Sequence, residues 1–189
     1  MKPHIALCGK ARAGKDLAGR HLVERHGYTR VAFADGVRDV ALAIDPMIEW
    51  PRRLSSIVRR RGWDGAKRIP EVRRLLQVVG TEAGRNVFGP DVWVDLAMRR
   101  AADVDGPVVF TDCRFPNEAE AVARLGGIVV RIERDGAGLD IGAEHASETA
   151  LDGYRVDHVV QNNGTPAELF EAFDAIVAPP ASIPNQEDV

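Results

Sequence analysis

Lys15 closes the run Gly9-Lys10-Ala11-Arg12-Ala13-Gly14-Lys15-Asp16, which has the GxxxxGK spacing of a loop that wraps phosphates. A polyphosphate packs several negative charges into a small volume. Holding it takes a tight turn free of Cβ clashes at Gly9 and Gly14, backbone N–H groups turned inward, and a helix N-terminus against the central phosphate. Lys15 is spaced to span the outer phosphates. Asp16 stands where Ser or Thr usually offers a hydroxyl to Mg²⁺. A carboxylate can serve that ion directly or through water, and Lys10, Arg12 and Lys15 offset its extra charge.

A second set of groups is spaced for the other half of such chemistry. Val108-Val109-Phe110-Thr111-Asp112 ends a β-branched run on a carboxylate, the pattern of a strand that carries a metal-serving aspartate beside a phosphate loop. Arg114, two residues on, is placed for a phosphate of an acceptor. Asp35 and Arg38 fall just past another apolar run, either as ligand contacts or as a helix cap and a solvated cation. Gln77, Thr81 and Arg85 recur every fourth residue, which on an α-helix stacks an amide, a hydroxyl and a guanidinium on one face. Arg134 opens a loop-rich stretch, 133–150, that could close over phosphates as a lid. His145, within it, is either a substrate contact or an exposed histidine, and the stretch has no zinc-ligand spacing.

These groups need strands and helices to aim them, and the pattern supplies an alternation of the two. Residues 4–8 read as a buried strand, 17–26 as a helix ended by Gly27, and 29–34 as a second strand. A helix over 37–44 stops at Asp45-Pro46, because the residue before proline avoids the α region. Further helices are expected over 70–85, 92–100 and from Pro116 to Gly126, and further strands over 108–112, 128–132 and 157–160. Thr165-Pro166-Ala167-Glu168 is a capping box opening a last helix, which Pro179-Pro180 ends before a tail expected to be disordered. Trp93 reads first as core and second as a surface that touches a base.

Residues 47–74 read as the least regular part, a mobile insertion. Its cations, among them Arg52, Arg53, Arg59, Arg60, Arg61, Lys67, Arg68, Arg73 and Arg74, outnumber acids such as Asp64 and Glu71. A funnel for anionic substrates, a nucleic-acid patch and solvated helix faces all account for such a run.

The whole chain, 189 residues with 45% hydrophobic and 28% charged residues and a formal net charge of −3, suits one α/β domain over 1–178. Nothing in that balance demands a nucleic-acid or membrane partner, and no apolar run approaches the roughly 20 residues that span a bilayer. Two cysteines in apolar runs, Cys8 and Cys113, fit buried thiols in a reducing cytoplasm.

Taken together, GKARAGKD at 9–16, FAD at 33–35, LLQVVGTEAGR at 75–85, GPDVWV at 89–94, TDCRFPNEAEAV at 111–122, HASE at 145–148 and QNNGT at 161–165 resemble the deoxynucleoside monophosphate kinases of bacteriophages and their bacterial relatives. The resemblance implies a P-loop fold of the nucleoside monophosphate kinase type: three layers, with a parallel five-stranded sheet flanked by helices and mobile substrate-binding and lid segments. It implies transfer of the γ-phosphoryl of ATP to a dNMP with Mg²⁺, in the host cytoplasm if phage-encoded, by a monomer or homodimer. On that likeness Gly9, Lys10, Ala11, Arg12, Ala13, Gly14, Lys15, Asp16 and Leu17 cradle ATP, with Asn162, Gly164 and Thr165 at the adenine. Lys15, Asp16, Arg114 and Arg134 serve the transfer, and Asp16 and Asp112 the metal. Asp35, Arg38, Gln77, Thr81, Arg85, Asp91, Trp93, Arg114, Glu118 and His145 form the dNMP pocket. A kinase of another small phosphate, such as phosphomevalonate, and a nucleotide-dependent nucleic-acid binder are the alternatives.

Overall fold

A computed structural model of the chain describes residues 2–138 and 149–178. Five parallel strands form the central sheet: β1 (Ile5–Cys8), β2 (Thr29–Val31), β5 (Val108–Phe110), β6 (Ile128–Glu133) and β7 (His158–Gln161), in the order β2-β5-β1-β6-β7. Parallel strands are covered on both faces, so they read as unbroken apolar runs. β1 is fully buried along its length and pairs Ile5 with Val109 and with Ile128.

Alternate residues of β1 feed two cores. Ile5 and Leu7 face α1 (Lys15–His26) and the last helix, α8 (Pro166–Val177), where they meet Leu22, Leu169 and Phe173. Ala6 and Cys8 face α6 (Val92–Ala102) and α7 (Pro116–Arg124), among Phe33, Val94, Phe110 and Val122. This is the period-2 alternation of a strand, and it yields the three layers and five-stranded parallel sheet expected. Both thiols are buried and free, and burial raises the pKa of each, leaving them inert.

Helix ends follow the chemistry read from the chain. Gly27, at φ 72°, ends α1 with its N–H on the Leu22 carbonyl. Thr165 caps α8: its Oγ1 accepts from the Glu168 N–H at 3.3 Å, and its own N–H donates to Glu168 Oε2 at 2.7 Å. α2 (Ala34–Ile44) starts three residues earlier than the pattern indicated, because Asp112 reaches across from the next strand and accepts the Phe33 and Ala34 N–H groups at 2.9 and 3.0 Å.

Residues 47–74 depart from the irregular insertion expected. They form a hairpin, β3 (Met47–Glu49) with β4 (Arg52–Arg53), then α3 (Leu54–Ala66) and the start of α4 (Pro70–Gln77). Leu54, Ile57, Ala66, Ile69 and Val72 close on Ala41 of α2 as a small core of their own. The arginines dominated the sequence pattern; the sparse apolar positions between them decide the packing. α4 then runs on as a π-helical stretch, Val78–Arg85, and a short α5 (Asn86–Phe88). Among the described residues no helix is long and apolar enough to cross a membrane.

A candidate nucleotide site at the carboxyl ends of the strands

Open parallel sheets bind ligands beyond the carboxyl ends of their strands, where the strand order reverses. Here that point is β1, whose chain leaves for β2 on one side while β6 lies on the other. The loop that follows β1 is held in a shape few residues tolerate. Gly9 has φ 130°, and a Cβ there would lie 2.2 Å from the Ile132 carbonyl oxygen. Gly14 has φ 114°, and its Cβ would lie 2.4 Å from Asn162 Nδ2. Arg12, at φ 66°, is one of two non-glycine residues in the left-handed region among those described. Successive left-handed turns of this kind point N–H groups into a concavity that takes anions. Ala13 is buried beneath it, and Lys10, Ala11, Lys15 and Leu17 are half-buried.

Lys15 Nζ donates to the Gly9 and Lys10 carbonyl oxygens at 2.7 and 2.8 Å, which holds the ammonium against the loop. Lys10 Nζ is drawn to Asp152, 2.7 Å from Oδ1. Asp16 is exposed in the first turn of α1. Asn162 lies beneath the loop, 7% exposed, and its Nδ2 donates to the Ala13 carbonyl at 2.7 Å. It therefore buttresses the loop, where the sequence suggested contact with adenine. Gly164 has no room for a side chain, since a Cβ would lie 1.8 Å from Glu168 Oε2. Thr165 is engaged as the α8 cap.

One cavity opens beside this loop, and a second shares Arg114 with it. The larger, about 370 Å³, is walled by Gly9, Lys10, Arg114, Arg131, Arg134 and Asp152, among others. Arg134 is exposed there, at the end of β6. Arg131 had no place in the sequence reading, although a lone charge in Ile128-Val129-Val130-Arg131-Ile132 was the signal. It pairs opposite Cys8 and donates to the Leu151 and Tyr154 carbonyls at 2.6 and 2.8 Å.

The smaller cavity, about 150 Å³, lies between α2, the π-helical stretch and the start of α7, and its walls include Thr81, Arg85, Trp93, Asp112, Arg114 and Glu118. Arg114 belongs to both cavities. Glu118 is 2% exposed; it accepts the Arg114 and Phe115 N–H groups at 2.7 and 3.1 Å and pairs with Arg85 at 2.9 Å. Its acceptors thus hold the wall together instead of facing a substrate. Burial, the largest influence, pushes its carboxyl up to about 7. Arg85 also lies over the Phe115 ring, 4.0 Å from its centre.

The π-helical turns rearrange the expected row of Gln77, Thr81 and Arg85. An i→i+5 turn is wider than an α-turn, so the α-to-π junction after Gln77 takes that residue off the face shared by Thr81 and Arg85. Thr81 and Arg85 line the cavity, and Gln77 is exposed outside its walls. Glycines make room for the wide turn: a Cβ on Gly84 would lie 2.5 Å from the Trp93 ring, and the Trp93 indole N–H donates to the Gly80 carbonyl at 2.8 Å. Trp93, 7% exposed, is core on one side and cavity wall on the other.

Other expected pocket residues sit outside its walls. Asp35 accepts from the Ala32 N–H at 3.0 Å and pairs with Arg30 and Arg38, each at 3.0 Å, so it ties the start of α2 to the chain before it. Asp91 accepts from Asn117 Nδ2 at 2.7 Å, tying the turn before α6 to α7. His145 lies outside the described residues. The basic segment does send one cation inward: Lys67 is half-buried at the end of α3, where burial first, then Arg38, lower its pKa, and where it feels Arg114 and Asp112.

Asp16 and Asp112 are hard oxygen donors of the kind Mg²⁺ selects. Each Asp112 oxygen accepts one backbone N–H and retains further acceptor capacity, so the donor set fits that ion.

Residues 65–173 match the family model described as deoxynucleotide monophosphate kinase. A protein of Acanthamoeba polyphaga mimivirus, provisionally named deoxynucleotide monophosphate kinase, is 30% identical over 92% of this chain and 95% of its own length. The deoxynucleotide monophosphate kinase of Escherichia phage RB69 is also 30% identical, over 56% of this chain and 44% of its own. Among solved structures, TT1252 of Thermus thermophilus shares the fold with a TM-score of 0.50 and 18% identity, over 93% of this chain and 97% of that one.

Proposed function

We infer the reaction from one premise: this chain belongs to the deoxynucleotide monophosphate kinase family and is a phosphotransferase. The reaction is passage of the γ-phosphoryl group of ATP to the phosphate of a dNMP, giving ADP and a dNDP. Arg114 carries this reading, because the residue lines both the cavity beside the phosphate loop and the smaller cavity. A cation at that junction can face donor and acceptor phosphates together.

In-line transfer between two anions needs positioning and charge neutralisation more than it needs a base, since the acceptor phosphate is already nucleophilic. The loop 9–16 and the N-terminus of α1 hold the triphosphate, and Lys15 leaves its loop carbonyls for the outer phosphates. Arg134 and Arg114 neutralise the equatorial oxygens of the transferred group. Thr81, Arg85 and Trp93 shape the small cavity for the acceptor nucleotide. Mg²⁺ bound by Asp16 and Asp112 would add positive charge at the phosphates. The working unit is a monomer or homodimer in the cytoplasm, with no stable nucleic-acid partner.

The test is ADP release, coupled to a reporter, with each of the four dNMPs, their ribose counterparts and phosphomevalonate. The expected result is rapid release with at least one dNMP. Release with phosphomevalonate alone, or with no phosphate acceptor at all, overturns the assignment.

A further inference from the structure

Away from the phosphate cradle, three metal-ligating side chains meet where the end of α1 packs against α8. His21 Nε2 and His26 Nε2 each lie 2.6 Å from one oxygen, Asp174 Oδ1, and the three donor atoms all fall within 4.8 Å of one another. His21 is 9% exposed and stacks flat on Phe170, ring centres 4.3 Å apart at 5°. Packing therefore fixes the direction of its Nε2 before any ligand arrives. His26 meets the His21 ring edge-on at 5.4 Å. Phosphoryl transfer uses none of these groups.

We propose that His21, His26 and Asp174 form a site for a borderline divalent transition metal, best matched by Zn²⁺, that staples the end of α1 to α8. Two imidazoles and one carboxylate suit such an ion and not Mg²⁺, which seeks oxygen. Three protein ligands leave a fourth position for water. Metal–ligand bonds of about 2.0–2.2 Å put tetrahedral ligand atoms about 3.3 Å apart. Asp174 Oδ1 must then draw back less than about 1 Å from each ring, and Asp174 is half-exposed on the surface, with room to do so.

A ring that donates from Nε2 to Asp174 must take the tautomer with its proton on Nδ1 before Nε2 can ligate. The charges around the site nearly balance: Arg20 and Arg25 against Glu24 on α1, and Glu171 on α8. Lys2, bonded to the His26 carbonyl at 2.9 Å, adds one cation. Asp174 supplies the anionic ligand, its carboxyl held below the usual range by the hydrogen bonds with His21 and His26.

Calorimetry of the full chain with ZnCl₂ in excess Mg²⁺ should give one saturable equivalent and a higher melting temperature. His26→Gln and Asp174→Asn should each weaken binding at least about tenfold while melting like the wild type in chelator, which separates lost ligation from lost fold. Co²⁺ should give the intense visible bands of a four-coordinate site, absent from both variants. Absence of saturable Zn²⁺ binding at micromolar protein overturns the site, as does binding that neither variant weakens. Kinase activity is measured separately in Mg²⁺ and chelator-treated zinc-free buffer, so failure of the metal site leaves the functional reading standing.

Discussion

Arg85 and Glu118 form a salt bridge of 2.9 Å between Nη2 and Oε1, with Glu118 2% exposed, in the wall of the smaller cavity. Burial raises the Glu118 carboxyl most, the Arg114 N–H opposes it, the Asp112 charge raises it further, and the result is about 7 against an ordinary 4.5. The folded chain therefore holds this proton more tightly than the unfolded chain. The associated stabilisation is full below about pH 4.5 and is lost as pH rises through about 7. Relative to Glu118→Gln, the wild type should lose up to about 3 kcal/mol of unfolding free energy across that window, at roughly 1.4 kcal/mol per unit. Urea midpoints of both proteins over a pH series measure it, and a constant gap contradicts the assignment.

Lys15→Ala should lower turnover by at least about 10³-fold, the scale of removing one preorganised charge from a developing transition state. The fold should survive, because the ammonium contacts loop carbonyls, those of Gly9 and Lys10, and no core group through those bonds. Coupled ADP release together with circular dichroism tests both halves. Wild-type turnover in this variant removes Lys15 from the mechanism.

What the sequence disclosed depended on how local each determinant was. The glycine-bounded turn at 9–14, the Gly27 stop and the Thr165 cap each rest on residues within a few positions of one another, and all three conformations stand in the structure. In the row of Gln77, Thr81 and Arg85 only Gln77 parted from the other two, because α- and π-turns draw on the same residues. The choice was made by Trp93, distant along the chain, bonding the Gly80 carbonyl. Asp112 was legible as a strand-end carboxylate, but its hold on the α2 N-terminus comes from a strand crossing that no local pattern encodes. The trio of His21, His26 and Asp174 was invisible for the same reason, since α8 returns beside α1 only in the folded sheet.

Glycine identity at two neighbouring positions should separate sharply. A Cβ on Gly84 would lie 2.5–2.8 Å from the Trp93 ring, whose position is fixed by its bond to Gly80. Gly84→Ala should cost about 1–3 kcal/mol by overpacking and raise KM for the dNMP more than for ATP, because Trp93 walls only the smaller cavity. Gly80→Ala would meet only Val37, at 3.6 Å, an ordinary contact. It should melt within about 1 kcal/mol of wild type. Equal effects from the two substitutions would contradict the packing described around Trp93.

Asn162 offers a direct choice between two roles. Its Nδ2 donates to the Ala13 carbonyl at 2.7 Å and lies where a Gly14 Cβ would be, so the side chain supports the loop from beneath. A support for the loop acts on every triphosphate alike, because the loop grips phosphates; a contact with adenine discriminates among bases. Asn162→Ala should therefore weaken ATP and GTP by the same factor, within about twofold. It should also cost about 1–3 kcal/mol of stability, by leaving the Ala13 carbonyl without its buried partner. Equilibrium binding of both nucleotides to the wild type and the variant decides it, and a loss confined to ATP would restore the adenine contact.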